Sequence, residues 1–416
     1  MARKDKNAIN YVCPFCFSRI DLNNVHYACS GSTCARSFAS AAFSMKDVDS
    51  KRYVSRDGLS EIDLEKSRYY GKDPDGPDAV IAKQHIIRNA SGLCDVCRRP
   101  VYTRMCPVCH NDIPPGAEDD GNNIFVILGP KGVGKSHYIA VLINQLRNFV
   151  SSEFGAVLQA ANDSTTIRYR DMYHRRLFEE KRKLQPTKSY GISNEAREPL
   201  IYYFRMFDGD RPKVYTFAFF DTAGEDLTSS GKMSSLSMDA FITNAAGIVY
   251  LVDPLQIRYI NSRIKMENKP QVGPDISDIL NNICQTIRRN KKLRSKDRID
   301  IPLAVCLTKC DVLMKNAEND EEDKVLFGRN SSVFIPREHG RFDEENFLQI
   351  DAELSEYLRR AVGDNFIQMV GGFEEHCFFA VSALGCNPVG SSLPRGVSPM
   401  RVEDPFIWLL NREGLR

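Results

Sequence analysis

Six apolar runs punctuate the last two-thirds of the chain: Ile124 to Leu128, Leu200 to Phe207, Tyr215 to Phe220, Gly247 to Val252, Leu303 to Leu307 and Cys377 to Val381. Short runs with little polar alternation are what strands covered on both faces require. Between them the spacing changes. Ile139, Leu142, Ile143 and Leu146 recur at helical intervals after the first run, and Ile276 to Arg289 and Asp343 to Val370 read as longer helical stretches. Alternation of strand and helix predicts an α/β fold, a three-layer arrangement with helices on both faces of a mainly parallel sheet.

Ahead of residue 122 that pattern is missing. Ile113-Pro114-Pro115-Gly116-Ala117-Glu118-Asp119-Asp120-Gly121 can continue neither helix nor strand, and a hinge is expected there. Of 13 cysteines, eight fall before residue 110. The chain of 416 residues suits two or three domains. The expected division is a first metal knuckle at 8–44, a linker at 45–89, a second knuckle at 90–112 and one large α/β domain at 122–416. Lys and Arg total 56 against 54 Asp and Glu, so a polyanionic partner has to be met by a local patch rather than by net charge. No apolar run approaches the roughly 18 residues that cross a bilayer, and the basic start leads into no signal-peptide core. A cytoplasmic protein is expected, and its cysteines then point to metal or chemistry rather than disulfides.

Cys94-Asp95-Val96-Cys97 and Cys106-Pro107-Val108-Cys109 are CxxC pairs separated by eight residues, Arg98 to Met105. Each pair can wrap one side of a tetrahedral ion, so Cys94, Cys97, Cys106 and Cys109 are expected to hold zinc. Cys13-Pro14-Phe15-Cys16 with Cys29 and Cys34 predicts a second zinc site on the same logic, with His26 as a substitute ligand. A redox dithiol is the competing reading. Cys284, Cys306, Cys310, Cys377 and Cys386 lie in or beside core elements and read as small apolar fillers. Two zinc ions are thus expected, on knuckles whose surface suits a protein contact. Nucleic acid is the less favoured partner, because Arg98, Arg99 and Arg104 on one hairpin are ordinarily a solvated face.

Gly129-Pro130-Lys131-Gly132-Val133-Gly134-Lys135-Ser136 sits between the first strand and the first helix. Backbone N–H groups there, extending to His137, can cradle phosphate oxygens; Lys135 balances β and γ charge, and the Ser136 hydroxyl is a Mg²⁺ ligand. Lys131 either adds charge at the β/γ bridge or points to solvent.

Asp221-Thr222-Ala223-Gly224 directly follows a strand and resembles switch II of the Ras-like GTPases. The resemblance implies Asp221 supporting Mg²⁺, Gly224 sensing the γ-phosphate, and Glu225 where a water-orienting glutamine is common. A carboxylate cannot donate as an amide does, so hydrolysis is expected to be slow or partner-dependent. Thr308-Lys309-Cys310-Asp311 resembles the guanine-reading Asn-Lys-x-Asp, with Thr308 in place of Asn; Asp311 can accept from guanine N1–H and its 2-amino group. Ser382-Ala383-Leu384 looks like the loop that supports the guanine O6. Thr187 is the first choice for the switch I magnesium ligand, with Thr165 and Thr166 behind it. The ending Arg401 to Leu410 is similar to the closing helix of the bacterial double-GTPase group within the TRAFAC class. The Ras-like resemblance covers most of 122–416, and the double-GTPase resemblance implies a regulatory GTPase binding GTP/GDP, with a role in a defence or conflict gene cluster.

The leading expectation is a GTP-hydrolysing switch in which Lys135, Thr187 and Glu225 serve catalysis, with a partner bound through the knuckles or switch segments. A slow nucleotide-gated scaffold and a GTP-gated zinc-dependent nucleic-acid binder are the alternatives. The basic run Arg288 to Arg298 is expected to be a solvated helix end, and Glu318 to Asp323 a solvated insertion.

Overall fold

A computed structural model describes residues 10–29, 34, 62–82, 84–88, 92–113, 124–153, 155–185, 199–207, 213–219, 235–266, 269–273, 275–318, 320–335 and 343–412. They form two units, Met1–Asn122 and Asn123–Arg416.

In the N-terminal unit β1 (Asn10–Val12) pairs antiparallel with β2 (Arg19–Asp21). β3 (His26–Cys29) is followed by α1 (Leu64–Tyr69), β4 (His85–Ile87) and β5 (Thr103–Met105). β3 lies between β4 and β5, antiparallel to both. Strands of three or four residues cannot close a core by themselves. Two small buried clusters do so with cysteine: Tyr11, Ile20, Leu22, Val25 and Ile113 surround Cys13, Cys106 and Cys109, while Ile87 and Val101 surround Cys29, Cys34 and Cys94. The stretch expected as a linker, 45–89, instead contributes α1 and β4 to this unit. Asp63 caps α1 by accepting the Lys66 N–H at 2.9 Å, and buried Ser67 accepts the Val80 N–H at 2.8 Å. Linker composition did not reveal a strand that exists only as β3's neighbour.

The C-terminal unit begins with β6 (Phe125–Leu128) and α2 (Lys135–Gln145), which continues through π-type turns at Leu146–Val150 into α3 (Ser151–Glu153). Next come β7 (Ala156–Ala160), α4 (Asp163–Arg168) with π-type turns over Tyr169–Glu179, β8 (Leu200–Met206), β9 (Lys213–Phe219), α5 (Ser235–Thr243) and β10 (Gly247–Val252). α6 (Arg258–Arg263), α7 (Ile276–Lys291), β11 (Leu303–Leu307), α8 (Cys310–Asn316), α9 (Glu321–Phe327), α10 (Glu344–Val362), α11 (Asp364–Val370), β12 (His376–Ala380) and α12 (Asp404–Arg412) complete it.

One sheet takes all seven strands in the order β12-β11-β10-β6-β9-β8-β7. β12 through β9 run parallel, and β8 is antiparallel to both β9 and β7. β10 and β11 are buried along their whole length, as continuous apolar runs demand. The chain leaves β6 toward β7, returns through β8 to β9, then crosses to β10 on β6's other side. The strand order therefore reverses between β6 and β10, the kind of switch point at whose carboxyl ends ligands bind in open α/β sheets.

Two differences from the sequence pattern have physical causes. β7 was not expected, because an edge strand with Val157 and Gln159 exposed lacks the continuous apolar signature. The helical stretch Asp343 to Val370 breaks into α10 and α11 at Gly363, whose φ of 116° suits glycine. The basic run is largely tied down. Arg288 donates to Arg294 O and Asp297 O, Arg289 pairs with Asp239, Lys291 with Asp300, and Arg298 donates to Gly371 O.

Candidate functional site

The eight expected zinc ligands form two four-sulfur groups, but not the two expected. Cys13 and Cys16 stand with Cys106 and Cys109, and Cys29 and Cys34 stand with Cys94 and Cys97. This corrects the assignment of Cys13, Cys16, Cys29 and Cys34 to one site and Cys94, Cys97, Cys106 and Cys109 to another, and with it the division into separate knuckles at 8–44 and 90–112. The reason lies in the antiparallel register: His26 faces Met105 and Ala28 faces Thr103, so the start of β3 meets the end of β5. The pair before β3 must then meet the pair after β5, and Cys29 at the end of β3, with Cys34 beyond it, meets the pair before β5.

Sulfur separations are 3.7 Å for Cys13–Cys109, Cys16–Cys106 and Cys29–Cys97, and 3.8 Å for Cys34–Cys94. A tetrahedron with Zn–S bonds of about 2.3 Å has edges of about 3.8 Å, so both donor sets fit such an ion. The three CxxC turns share one conformation. In each, the residue after the second cysteine has positive φ (Phe17 59°, Arg98 58°, His110 51°), and the first cysteine's carbonyl accepts that residue's N–H at 2.8–2.9 Å.

His26 joins neither group. Its Nδ1 lies 2.8 Å from His110 Nε2, and His110 Nδ1 lies 2.7 Å from Asp63 Oδ1. Both His110 nitrogens are thereby engaged, and Glu65 Oε2 lies 3.5 Å from the same Nδ1, which ties α1 to the knuckle.

In the C-terminal unit the phosphate loop spans the end of β6 and the start of α2. Gly129 has φ 156°, and a Cβ there would come within 2.8 Å of Leu251 O; Gly134, at φ 98°, opens α2. Lys135 Nζ donates to Gly129 O at 2.7 Å. Outside donors hold the loop's far carbonyls: Gln256 Nε2 reaches Lys131 O at 2.8 Å, Lys309 Nζ reaches Gly132 O at 3.2 Å, and Thr308 Oγ1 lies 3.2 Å from Val133 O. Thr308, substituting for asparagine, thus still meets the loop, and its hydroxyl also lies 3.1 Å from Val252 O at the end of β10. Lys309 Nζ is 2.5 Å from Asp253 Oδ2.

Asp311 opens α8 beside this lysine. Ser382, just past β12, donates its hydroxyl to Asp311 Oδ1 at 2.6 Å while accepting the Gly385 N–H at 3.0 Å. Burial raises the Asp311 pKa, opposed by that hydrogen bond. Ala383 and Leu384 complete the same turn, partly buried against the main core. The His137 imidazole serves the protein itself: Nε2 accepts the Leu184 N–H at 3.1 Å, and burial, then Lys309 and Lys183, lowers its pKa to about 4.

The hydroxyls of Thr165 and Thr166 are both engaged within the protein. Thr165 is buried with its Oγ1 on the Ile201 N–H at 3.3 Å, and Thr166 Oγ1 donates to Asn162 O. Thr187, Asp221, Gly224 and Glu225 lie outside the described residues. Sequence reading missed Asp253 and Gln256. The signal was available, since an acid directly after a buried apolar run is the same cue that singled out Asp221.

A family model described as Double-GTPase 2 matches residues 123–358. A putative ESX-1 scaffolding and assembly protein, SaeC, of Mycolicibacterium smegmatis is 27% identical over 323 residues, covering 75% of this chain and 80% of that protein. The GTP-bound GTPase-like domain of Ski7 from S. cerevisiae aligns with a TM-score of 0.30 at 11% identity, over 70% of this chain and 50% of its own.

Proposed function

The chain belongs to the Double-GTPase 2 family, and on that premise we propose that it is a GTP-binding and GTP-hydrolysing switch whose cysteine-built N-terminal unit holds two zinc ions and docks a protein partner. One observation carries the nucleotide half. The phosphate loop after β6 and the Asp311–Ser382 pair after β11 and β12 stand at the same ends of parallel strands in one sheet, bridged by Lys309.

In this reading the loop N–H groups and Lys135 bind the β- and γ-phosphates, and Asp311 reads guanine through two acceptor oxygens. Ser136, Thr187 and Asp221 would hold Mg²⁺, which neutralises developing phosphate charge when bound. Gly224 senses the γ-phosphate and Glu225 faces the attacking water. Calorimetry against GTP, GDP and ATP tests the base assignment; equal affinities for GTP and ATP would sink it.

A second reading, favoured by Glu225 and by the relative described as a scaffolding and assembly protein, is a scaffold gated by nucleotide that hydrolyses slowly. It takes an assembly role in preference to the conflict role the resemblance implies. Single-turnover hydrolysis of bound GTP separates the two, since a scaffold holds GTP through an assay in which a switch consumes it. The cytoplasm, with GTP and reduced thiols, is the compartment this function requires; among the described residues no helix is long and apolar enough to cross a membrane.

A further inference from the structure

The carbonyls of Lys131, Gly132 and Val133 each meet a side chain from outside the phosphate loop. In a trans peptide the carbonyl of one residue and the N–H of the next point in opposite directions. Holding these carbonyls outward therefore aims the N–H groups of Gly132, Val133 and Gly134 inward, where a phosphate is cradled.

Two of the three donors depend on one turn, Asp253 to Gln256, which follows β10. Asp253 is buried, and its two oxygens have separate tasks: Oδ1 accepts the Leu255 N–H at 2.9 Å and Oδ2 takes Lys309 Nζ at 2.5 Å. The first bond winds the 3-10 turn Pro254–Gln256 that delivers the Gln256 amide to Lys131 O. The second fixes the ammonium that reaches Gly132 O. Lys309 has a left-handed backbone, φ 53°, which non-glycine residues seldom adopt, and a buried carboxylate needs a cation close by. Gln256 also requires its neighbour to lack a side chain, for a Cβ on Gly273 would come within 2.7 Å of Gln256 Oε1.

We infer that Asp253 and Gln256 are positioning residues of the nucleotide site, Asp253 acting through Lys309 and Gln256 directly, which together set the peptide planes of Lys131 to Val133 for phosphate. The inference rests on the GTP-binding reading above. It makes the turn after β10 a brace between the base-reading strand β11 and the phosphate loop.

Asp253→Asn keeps an acceptor for the Leu255 N–H and removes only the charge. Affinities for GTP and GDP are expected to fall together by about tenfold to a hundredfold, because both nucleotides share the phosphates these N–H groups hold. Preference for GTP over ATP stays, since Asp311 is untouched. On a Lys309→Met background the same substitution should cost nothing further, a non-additivity that general loss of fold would not produce. Gln256→Ala is expected to weaken both nucleotides by about threefold to tenfold, and it carries the test if Asp253→Asn does not fold.

Unchanged GTP and GDP affinity in Asp253→Asn, or in Gln256→Ala where that variant carries the test, overturns the inference while leaving the nucleotide reading intact. So does full additivity of Asp253→Asn with Lys309→Met. A native protein that binds no guanine nucleotide overturns the proposed function, and this inference with it.

Discussion

In the larger unit the phosphate loop hangs from a seven-stranded sheet whose central strands are buried from end to end, over a core that runs from Phe125 to Leu410. In the smaller one the longest strand among the described residues has four residues, and six of the thirteen buried members of its two clusters are cysteines. The first kind of unit is stabilised by apolar area, at roughly 25 cal/mol per Å² buried. Nothing comparable is available to the second. Its cysteines stand in two four-sulfur groups that could each hold an ion, so in the proposed reading one unit folds on its hydrophobic pattern and the other on coordination chemistry.

The largest expected effect breaks that contrast open. Removing metal with a strong chelator should cost the smaller unit on the order of 10 kcal/mol and unfold it, while GTP binding by the larger unit persists; proteolysis and calorimetry on the same sample read both. Metal analysis of cysteine variants sharpens the point. Cys13→Ser and Cys106→Ser should each lose one equivalent, and the double variant still only one, because both belong to the same group. Loss of two equivalents in the double variant would restore the sequential assignment.

Lys135→Ala is next in size. Removing the loop's buried cation should weaken GTP binding at least a hundredfold, about 3 kcal/mol, with the melting temperature of the nucleotide-free protein little changed. A large fall in that melting temperature would instead make Lys135 a part of the fold.

Asp311 sets stability and function against each other. A carboxyl whose pKa is raised by burial favours the folded state below its unfolded pKa, and that contribution is lost as pH rises through the folded value. Asp311→Asn should therefore raise the stability of the nucleotide-free protein at pH 7 while removing guanine preference. In the native protein, guanine affinity should fall on acidification at a higher pH than an ordinary carboxylate would dictate. A variant no more stable than wild type at pH 7 contradicts the burial argument.

The last effect concerns His137. Its pKa is lowered from 6.5 to about 4, so its contribution is fully present above 6.5 and is lost as pH falls toward 4. Thermal melts at pH 7 and pH 5 should show a destabilisation of the larger unit that is absent in His137→Gln, which keeps an acceptor for Leu184. Equal pH sensitivity in the two proteins would remove His137 as its source.

Much of the larger unit was legible from composition alone. Gly247–Val252 and Leu303–Leu307 are strands over the very residues whose apolar run proposed them, because a strand buried on both faces leaves no room for polar side chains. The phosphate loop was legible for a similar reason: a backbone that must turn at Gly129 and Gly134 without a Cβ writes its glycines into the sequence. β7 and α1 were not, since the first shows only half an apolar pattern and the second sits in a stretch that composition marks as a linker.

By itself, then, the sequence determined the residue types on offer: eight thiols at metal-ligand spacing, a phosphate-loop motif, and an aspartate in a motif that resembles a guanine reader, all of them consequences of residue type and local spacing. Only the tertiary structure decided which thiol faces which, because the antiparallel pairing of β3 with β5 brings together pairs some 90 residues apart. It likewise set the Gln256 amide on a carbonyl of the phosphate loop and Asp253 against Lys309. Spacing along a chain reports what a segment can do, whereas the partners of a buried charge are chosen by the strands that converge on it.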